Sequence, residues 1–296
     1  MPDPTAAAIP VTEDVLSVPV GAHHFGMLGF NLWVELKVEK RTLRTERFAV
    51  GERPLLLRRL EPGTFAMGAA DGDIHARSDE RPRHEVTLGR AFSIGVFPVT
   101  QGLYAQLMGD NPAKLGQGDN HPVDGVSWFD GIRFCNALSR ACGLPEVYRI
   151  REVNDTEYLA DLNAPGFRLP TEAEWEFAAV AGADTQYAGS DNPDDVAWWR
   201  DEASGATRPV GTKWPNAWGI YDLSGNVAEW CWDLYAPTYP AAPQVDPEGP
   251  ARGTYRVCRG GHCADAAEAV RVRARNWNVP GFRRGPLGLR VARTWL

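Results

Sequence analysis

No stretch of the 296 residues keeps about 18 apolar side chains in a row, so the sequence offers no membrane-spanning helix. The opening MPDPTAAAIPVTEDVL has neither a basic head nor an apolar centre, which reads as no secretory leader and a cytoplasmic protein. Cysteine is scarce and odd in number, five in all, so a disulfide framework is excluded and free thiols are expected. Positive charge is in deficit, 31 Lys and Arg against 38 Asp and Glu, for a net charge of -7. That balance excludes a general phosphate-backbone binder, so no nucleic-acid partner is expected. Internal repeats and low-complexity tracts are also missing.

Glycine and proline are plentiful, 30 and 23 residues, which points to a loop-rich molecule with enough chain for a sizeable core. Asn31 to Val50 alternates apolar and polar residues in a strand pattern, and residues 1–55 read as an N-terminal extension with short strands. GTFAMG (63–68) and RHEVTLGRAFSIGVFPVT (83–100) supply further strands. Three helices carry start and stop signals. Thr100 caps QGLYAQLM before Gly109, and Ser127 caps WFDGIRFCNALSRAC before Gly143. Thr171 and Glu174 make a capping box ahead of WEFAAVA and Gly182. On the second helix Trp128, Ile132, Cys135, Leu138 and Cys142 share one apolar face. No helix is expected after Gly182, and the fold class is mixed α+β. Seven of the eleven tryptophans lie between Trp175 and Trp232, where large rings are expected to fill a core poor in regular structure.

The stretch YRVCRGGHCADAAEAVRVRARNW (255–277) has the residue types of a thiol or metal site. Cys258, His262 and Cys263 lack the second half that a zinc site requires. Cys258 sits in an alternating strand, RVCRGG, so a buried inert thiol is the expectation. Cys231, between Trp230 and Trp232, is expected in the core or half-buried.

The blocks GTFAMG, DERPRHEVTL, FPVTQGLYAQLM, HPVDGVSWFDGIRFCNALS, FRLPTEAEWEFAA, GIYDLSGNVAEWCWD, RVCRGG and PLGLRVAR cover about four-fifths of the chain. In this order they resemble the formylglycine-generating-enzyme, or sulfatase-modifying-factor, domain family. That resemblance implies a C-type-lectin-like fold over residues 56–296. Catalytic members place one cysteine four residues past the second glycine of RGG and another five residues later. Those positions hold Asp265 and Val270 here, and neither can supply the thiolate that copper and a substrate cysteine require. The iron-dependent sulfoxide synthases that share the domain need a three-histidine site on a helical bundle. His23, His24, His75, His84, His121 and His262 form no H-x3-H-x-E pattern, which opposes that alternative enzyme reading.

Against the family's usual closing run, Arg259, Gly260, Gly261, Glu268, Arg271, Arg275, Asn276, Pro280, Arg283, Gly288 and Arg290 match. Between them His262, Cys263, Ala264, Asp265, Ala269, Arg273, Ala274, Val279, Phe282, Arg284, Gly285 and Pro286 depart. That layout resembles the variable proteins of diversity-generating retroelements, which randomise adenine-containing codons near the C-terminus. None of the twelve departures is Glu, Gln, Lys, Met or Trp, the types an AAY codon cannot reach by that route. The resemblance implies a non-catalytic, receptor-type protein whose variable region, about 256–290, binds a protein or surface polymer. The twelve departures and Trp277 form the expected ligand-binding set. It also leaves room for a prophage-encoded protein, or one displayed by a route not visible in the sequence. In catalytic relatives the segment matching YDLSGNVAEW wraps calcium (Ca2+), which implies side-chain ligands Asp222 and Glu229 and backbone ligands Gly225 and Val227. The alternative is that the same side chains hydrogen-bond the turn without metal.

Overall fold

The computed structural model describes residues 11–19, 38–50, 53–150, 158–283 and 285–295. Its largest sheet has six antiparallel strands, ordered Val11–Pro19, Val38–Val50, Arg53–Leu60, Phe92–Gly95, Ala292–Thr294 and Phe167–Arg168. The described part of the expected N-terminal strand, 38–50, is therefore a sheet member; 31–37 lie outside the described residues. Glu46 on that strand is fully buried and takes a two-pronged bond from Arg293, tying the extension to the last strand of the chain. Gly63–Met67, His84–Leu88 and Gln244–Val245 make a three-stranded sheet, and Tyr148–Ile150 pairs with Tyr158–Ala160.

A four-stranded sheet runs Arg275–Asn278, Arg256–Arg259, Ala228–Leu234, Leu287–Leu289, the last pair parallel. Successive side chains of a strand point to opposite faces, and this sheet uses both. Trp230 and Cys258 enter one core with Trp128, Ile132, Phe167 and Leu289. Their neighbours Cys231 and Val257 enter a second with Trp175, Phe177, Phe92 and Val272.

The expected helices form where their caps place them. Gln101–Met108 starts on the Thr100 hydroxyl and ends at Gly109 in the left-handed region. Trp128–Ala141 and Glu172–Val180 both carry reciprocal capping boxes. The apolar face of the Trp128–Ala141 helix is buried at Trp128, Ile132, Cys135 and Leu138, whereas Cys142, at its end, is half-buried. Two four-residue helical turns, Pro193–Val196 and Arg200–Ala203, correct the expectation of no helix beyond Gly182. The first is built by an Asn192 cap and a proline in its first turn.

Candidate functional site

The C-terminal segment is pinned from below by arginines. Arg259 turns inward to Glu172 at 2.6 Å, to Glu176, and to the Val272 carbonyl at 2.8 Å. Arg275 grips both oxygens of Glu172 at 2.7 and 2.8 Å and donates to the Asp79 and Ala236 carbonyls. Arg271 forks onto Glu80, and Arg290 forks onto Glu229 while also donating to the Gly95 carbonyl. All four are buried, so their charges are tolerable only because planar two-pronged pairing and loop carbonyls satisfy them. Burial would raise the Glu172 carboxyl, but Arg275 and Arg259 outweigh it and hold it near 2. Gly260 and Gly261 turn the chain out of the sheet at φ +90° and +61°, and a Cβ on Gly261 would meet the Ala269 carbonyl at 2.5 Å.

Above these pins the departing positions divide into patches. Ala264 and Ala269 are exposed, and His262 and Asp265 are half-buried. Asp265 accepts the His262 backbone N–H at 3.0 Å, closing a tight turn, and its own carbonyl accepts the Arg200 N–H. Burial lowers the His262 pKa, with Asp265 opposing. Val279 and Gly285 are exposed, and Phe282 and Pro286 are half-buried, on a loop that crosses from one edge of the four-stranded sheet to the other. That loop is fastened by the Trp128 N–H to the Pro280 carbonyl and by Arg283 to Asp130 at 2.8 Å. Both patches hold the Asn226–Ala228 segment, since the Cys263 N–H donates to Asn226 and Ala228 donates to the Pro286 carbonyl. Trp277 stands apart on the edge strand, its ring 4.2 Å from Tyr255 and 5.6 Å from Tyr235.

Three members of the expected set are corrected. Cys263 is fully buried, because its backbone bond to Asn226 turns the thiol inward. Arg273 is held at 8% exposure by the Gly68 carbonyl and Asp184, and Ala274, its N–H donating to the Arg271 carbonyl, is buried at 7%. Arg284 lies outside the described residues.

At the two thiol positions of catalytic relatives, Asp265 serves its turn and Val270 is buried against Tyr187, Val196 and Ala197. All five cysteines are free. Burial pushes the Cys263 thiol up to about 11 and those of Cys258 and Cys231 far higher, so none is a ready thiolate. The described residues contain no metal-holding group of three His, Cys, Asp or Glu side chains.

The calcium expectation fails on its donor set. Both oxygens of Glu229 are taken by Arg290, and Trp175 Nε1 adds a bond at 2.7 Å, so its charge is already balanced. Asp222 accepts from the Gly211 N–H and the Asn226 amide, and burial raises its carboxyl to about 6. Calcium favours several charged oxygens, whereas Gly225 and Val227 would add only neutral carbonyls. The turn carries hydrogen bonds of its own, from the Gly211 N–H and the Asn226 amide to Asp222.

Part of the surface escaped the sequence. Trp175 and Trp230 fill the cores, but Trp198 and Trp199 are half-buried and Trp214 is 46% exposed, which corrects the expectation for these rings. Trp199 and Ala267 both pack on the cluster of Tyr187, Val196, Ala197 and Val270, and Trp198 carries Lys213 Nζ 4.4 Å above its ring. Their charged flanks, DDVAWWRDE, were the available signal.

A mixed α+β scaffold whose C-terminal segment is pinned by buried arginines, with Asp265 and Val270 where the catalytic thiols would stand, defines a class built on a sulfatase-modifying framework. Residues 56–295 match the sulfatase-modifying factor enzyme 1-like domain, and the chain belongs to that family. The formylglycine-generating enzyme of Streptomyces coelicolor is 32% identical, over 79% of this chain and 88% of that protein. The chaperone protein LppX of Paenibacillus barcinonensis is 35% identical over 61% of this chain and 72% of its own length. Among solved structures, Treponema denticola variable protein 1 superposes with a TM-score of 0.77 at 32% identity, covering 84% of this chain and 98% of that one. The fold is the C-type-lectin-like arrangement of the formylglycine-generating-enzyme type.

Proposed function

We propose that this chain is a non-catalytic, receptor-type binding protein. Its exposed C-terminal positions, diversified by a retroelement, meet a protein or surface polymer. One observation carries the reading: buried arginine pairs hold the backbone of the segment, while Asp265 and Val270 occupy the places where the oxidase chemistry requires thiols. A backbone fixed from below tolerates substitution above. Ala264, Ala269 and Val279 are the positions freest to vary, with Trp277 and Phe282 as anchors. The similarity to Treponema denticola variable protein 1 supports this reading, and the similarity to formylglycine-generating enzymes supports the competing oxidase.

Two experiments separate them. Sequencing the gene from sister isolates should show differences concentrated at His262, Ala264, Asp265, Ala269, Val279, Phe282, Gly285 and Pro286; an even scatter sinks the variable-surface reading. Purified protein supplied with copper, oxygen and a cysteine-bearing peptide should leave the peptide unchanged, and conversion of that cysteine to an aldehyde would establish the oxidase.

A further inference from the structure

A cavity of about 500 Å3 lies between the start of the Glu172–Val180 helix, the end of the Ala228–Leu234 strand and the chain from 236 to 250. It is separate from the exposed C-terminal patches and falls within the usual size range for small-molecule sites. Met67, Leu234, Pro240 and Pro250 give it apolar walls. Asp233 also lines it, at 3% exposure.

Apart from the exposed Thr238 hydroxyl, the polar side chains around the cavity turn mainly acceptors toward it. One Asp233 oxygen, Oδ2, accepts the Glu172 N–H at 2.7 Å, and no donor among the described residues reaches Oδ1. His84 Nδ1 lies 3.2 Å from the Pro82 carbonyl, which can only accept, so in the neutral ring Nδ1 carries the proton and Nε2 is left as an acceptor. The Gln244 amide donates to the Ala242 and Pro243 carbonyls, leaving its own oxygen. The donors of Arg275 go to Glu172, Asp79 and Ala236, and the Tyr239 hydroxyl goes to Glu172. Charge follows the same pattern. Glu172 is balanced by Arg259 and Arg275, whereas neither Asp233 nor the exposed Glu248 has an ion-pair partner within 4 Å among the described residues. Burial, and then the Glu172 carboxylate, push the Asp233 carboxyl well up, so a cation bound beside it would draw out its proton and stabilise the ionised form.

We propose that this cavity binds a small organic cation, an ammonium or guanidinium on an apolar body, with the Asp233 carboxylate as its counter-ion. Such a ligand brings donors to a site rich in acceptors, and a positive charge to a buried carboxyl with no ion-pair partner among the described residues.

Titration calorimetry on the full chain, with benzylamine and phenylguanidine against the neutral benzyl alcohol, tests this. The two cations should saturate one site and benzyl alcohol should not. Asp233→Asn keeps an acceptor for the Glu172 N–H, so its melting temperature without ligand should hold while benzylamine binding falls on the order of tenfold or more. Glu248→Gln, on the exposed rim, keeps the test open should that variant not fold, and should weaken benzylamine severalfold. Equal binding of benzyl alcohol, no saturation by either cation, or unchanged affinity in these variants would overturn the proposal.

Discussion

Within the last forty residues, two sets of side chains alternate in sequence yet live in different media. Arg259, Arg271, Arg275 and Arg290 are buried at 4% exposure or less, each two-pronged or doubly paired with a carboxylate. The side chains of Ala264, Ala269 and Val279, a few residues away, face solvent, while Gly285, also exposed, serves the turn at φ +75°. The long arginine reaches the interior and ties off loop carbonyls that no helix or sheet would satisfy. Regularity of backbone is replaced by side-chain pairing, and that frees the exposed side chains between the pins from much structural duty.

The largest break in this comparison should come from Arg259→Leu, which leaves Glu176 without an ion-pair partner in the core and Glu172 with Arg275 alone. A loss of about 3–5 kcal/mol is expected in denaturant unfolding, the usual cost of breaking a buried pair from one side. A change below about 1 kcal/mol would mean the pins are ornamental.

Acid separates two buried carboxyls by sign. Glu172 is depressed from 4.5 to about 2, so its contribution is complete above pH 4.5 and is lost as pH falls toward 2. Asp222 is raised from 3.8 to about 6, so its neutral form favours folding below pH 3.8, and that advantage is lost as pH rises through 6. Each is worth roughly 3 kcal/mol at 1.36 kcal/mol per pKa unit. Asp222→Asn should therefore flatten the stability profile between pH 4 and 6 and leave the limb below pH 4 intact. Urea midpoints across that range decide it.

Adjacent residues offer a finer cut. Cys263→Ser places a hydroxyl in a dry site and should cost about 1–3 kcal/mol, while Ala264→Ser next to it should stay within about 0.5 kcal/mol. Thermal melts of the two variants measure the difference, and equal effects would erase the boundary drawn here between scaffold and surface.

Smallest of all should be the effect on folding of Val279→Lys and Ala269→Arg, each within about 0.5 kcal/mol by denaturant unfolding. A loss beyond about 1 kcal/mol would show that these positions carry structure after all.

The framework arginines were legible as matches to the family's closing run, since buried pairing demands a particular residue type. The burial of Cys263, Arg273 and Ala274 was not legible, because the turn that sends them inward depends on Asn226, Gly68 and Asp184, far away in the chain. Glu229 was misread for a related reason. A carboxylate in a tight turn suits calcium or arginine equally, and only the return of Arg290 from the far end of the chain shows which it meets.

By itself the sequence determined what is local or categorical. The capped starts at Thr100, Ser127 and Thr171 depend on residues three apart, and the missing thiols at Asp265 and Val270 are missing in any fold. Tertiary structure alone decided which alternate residues face water, where Trp198 and Trp199 come to lie, and that Asp233 shares a cavity with His84 and Gln244. Those are matters of long-range packing, set by partners tens to hundreds of residues away, and no spacing within the chain encodes them.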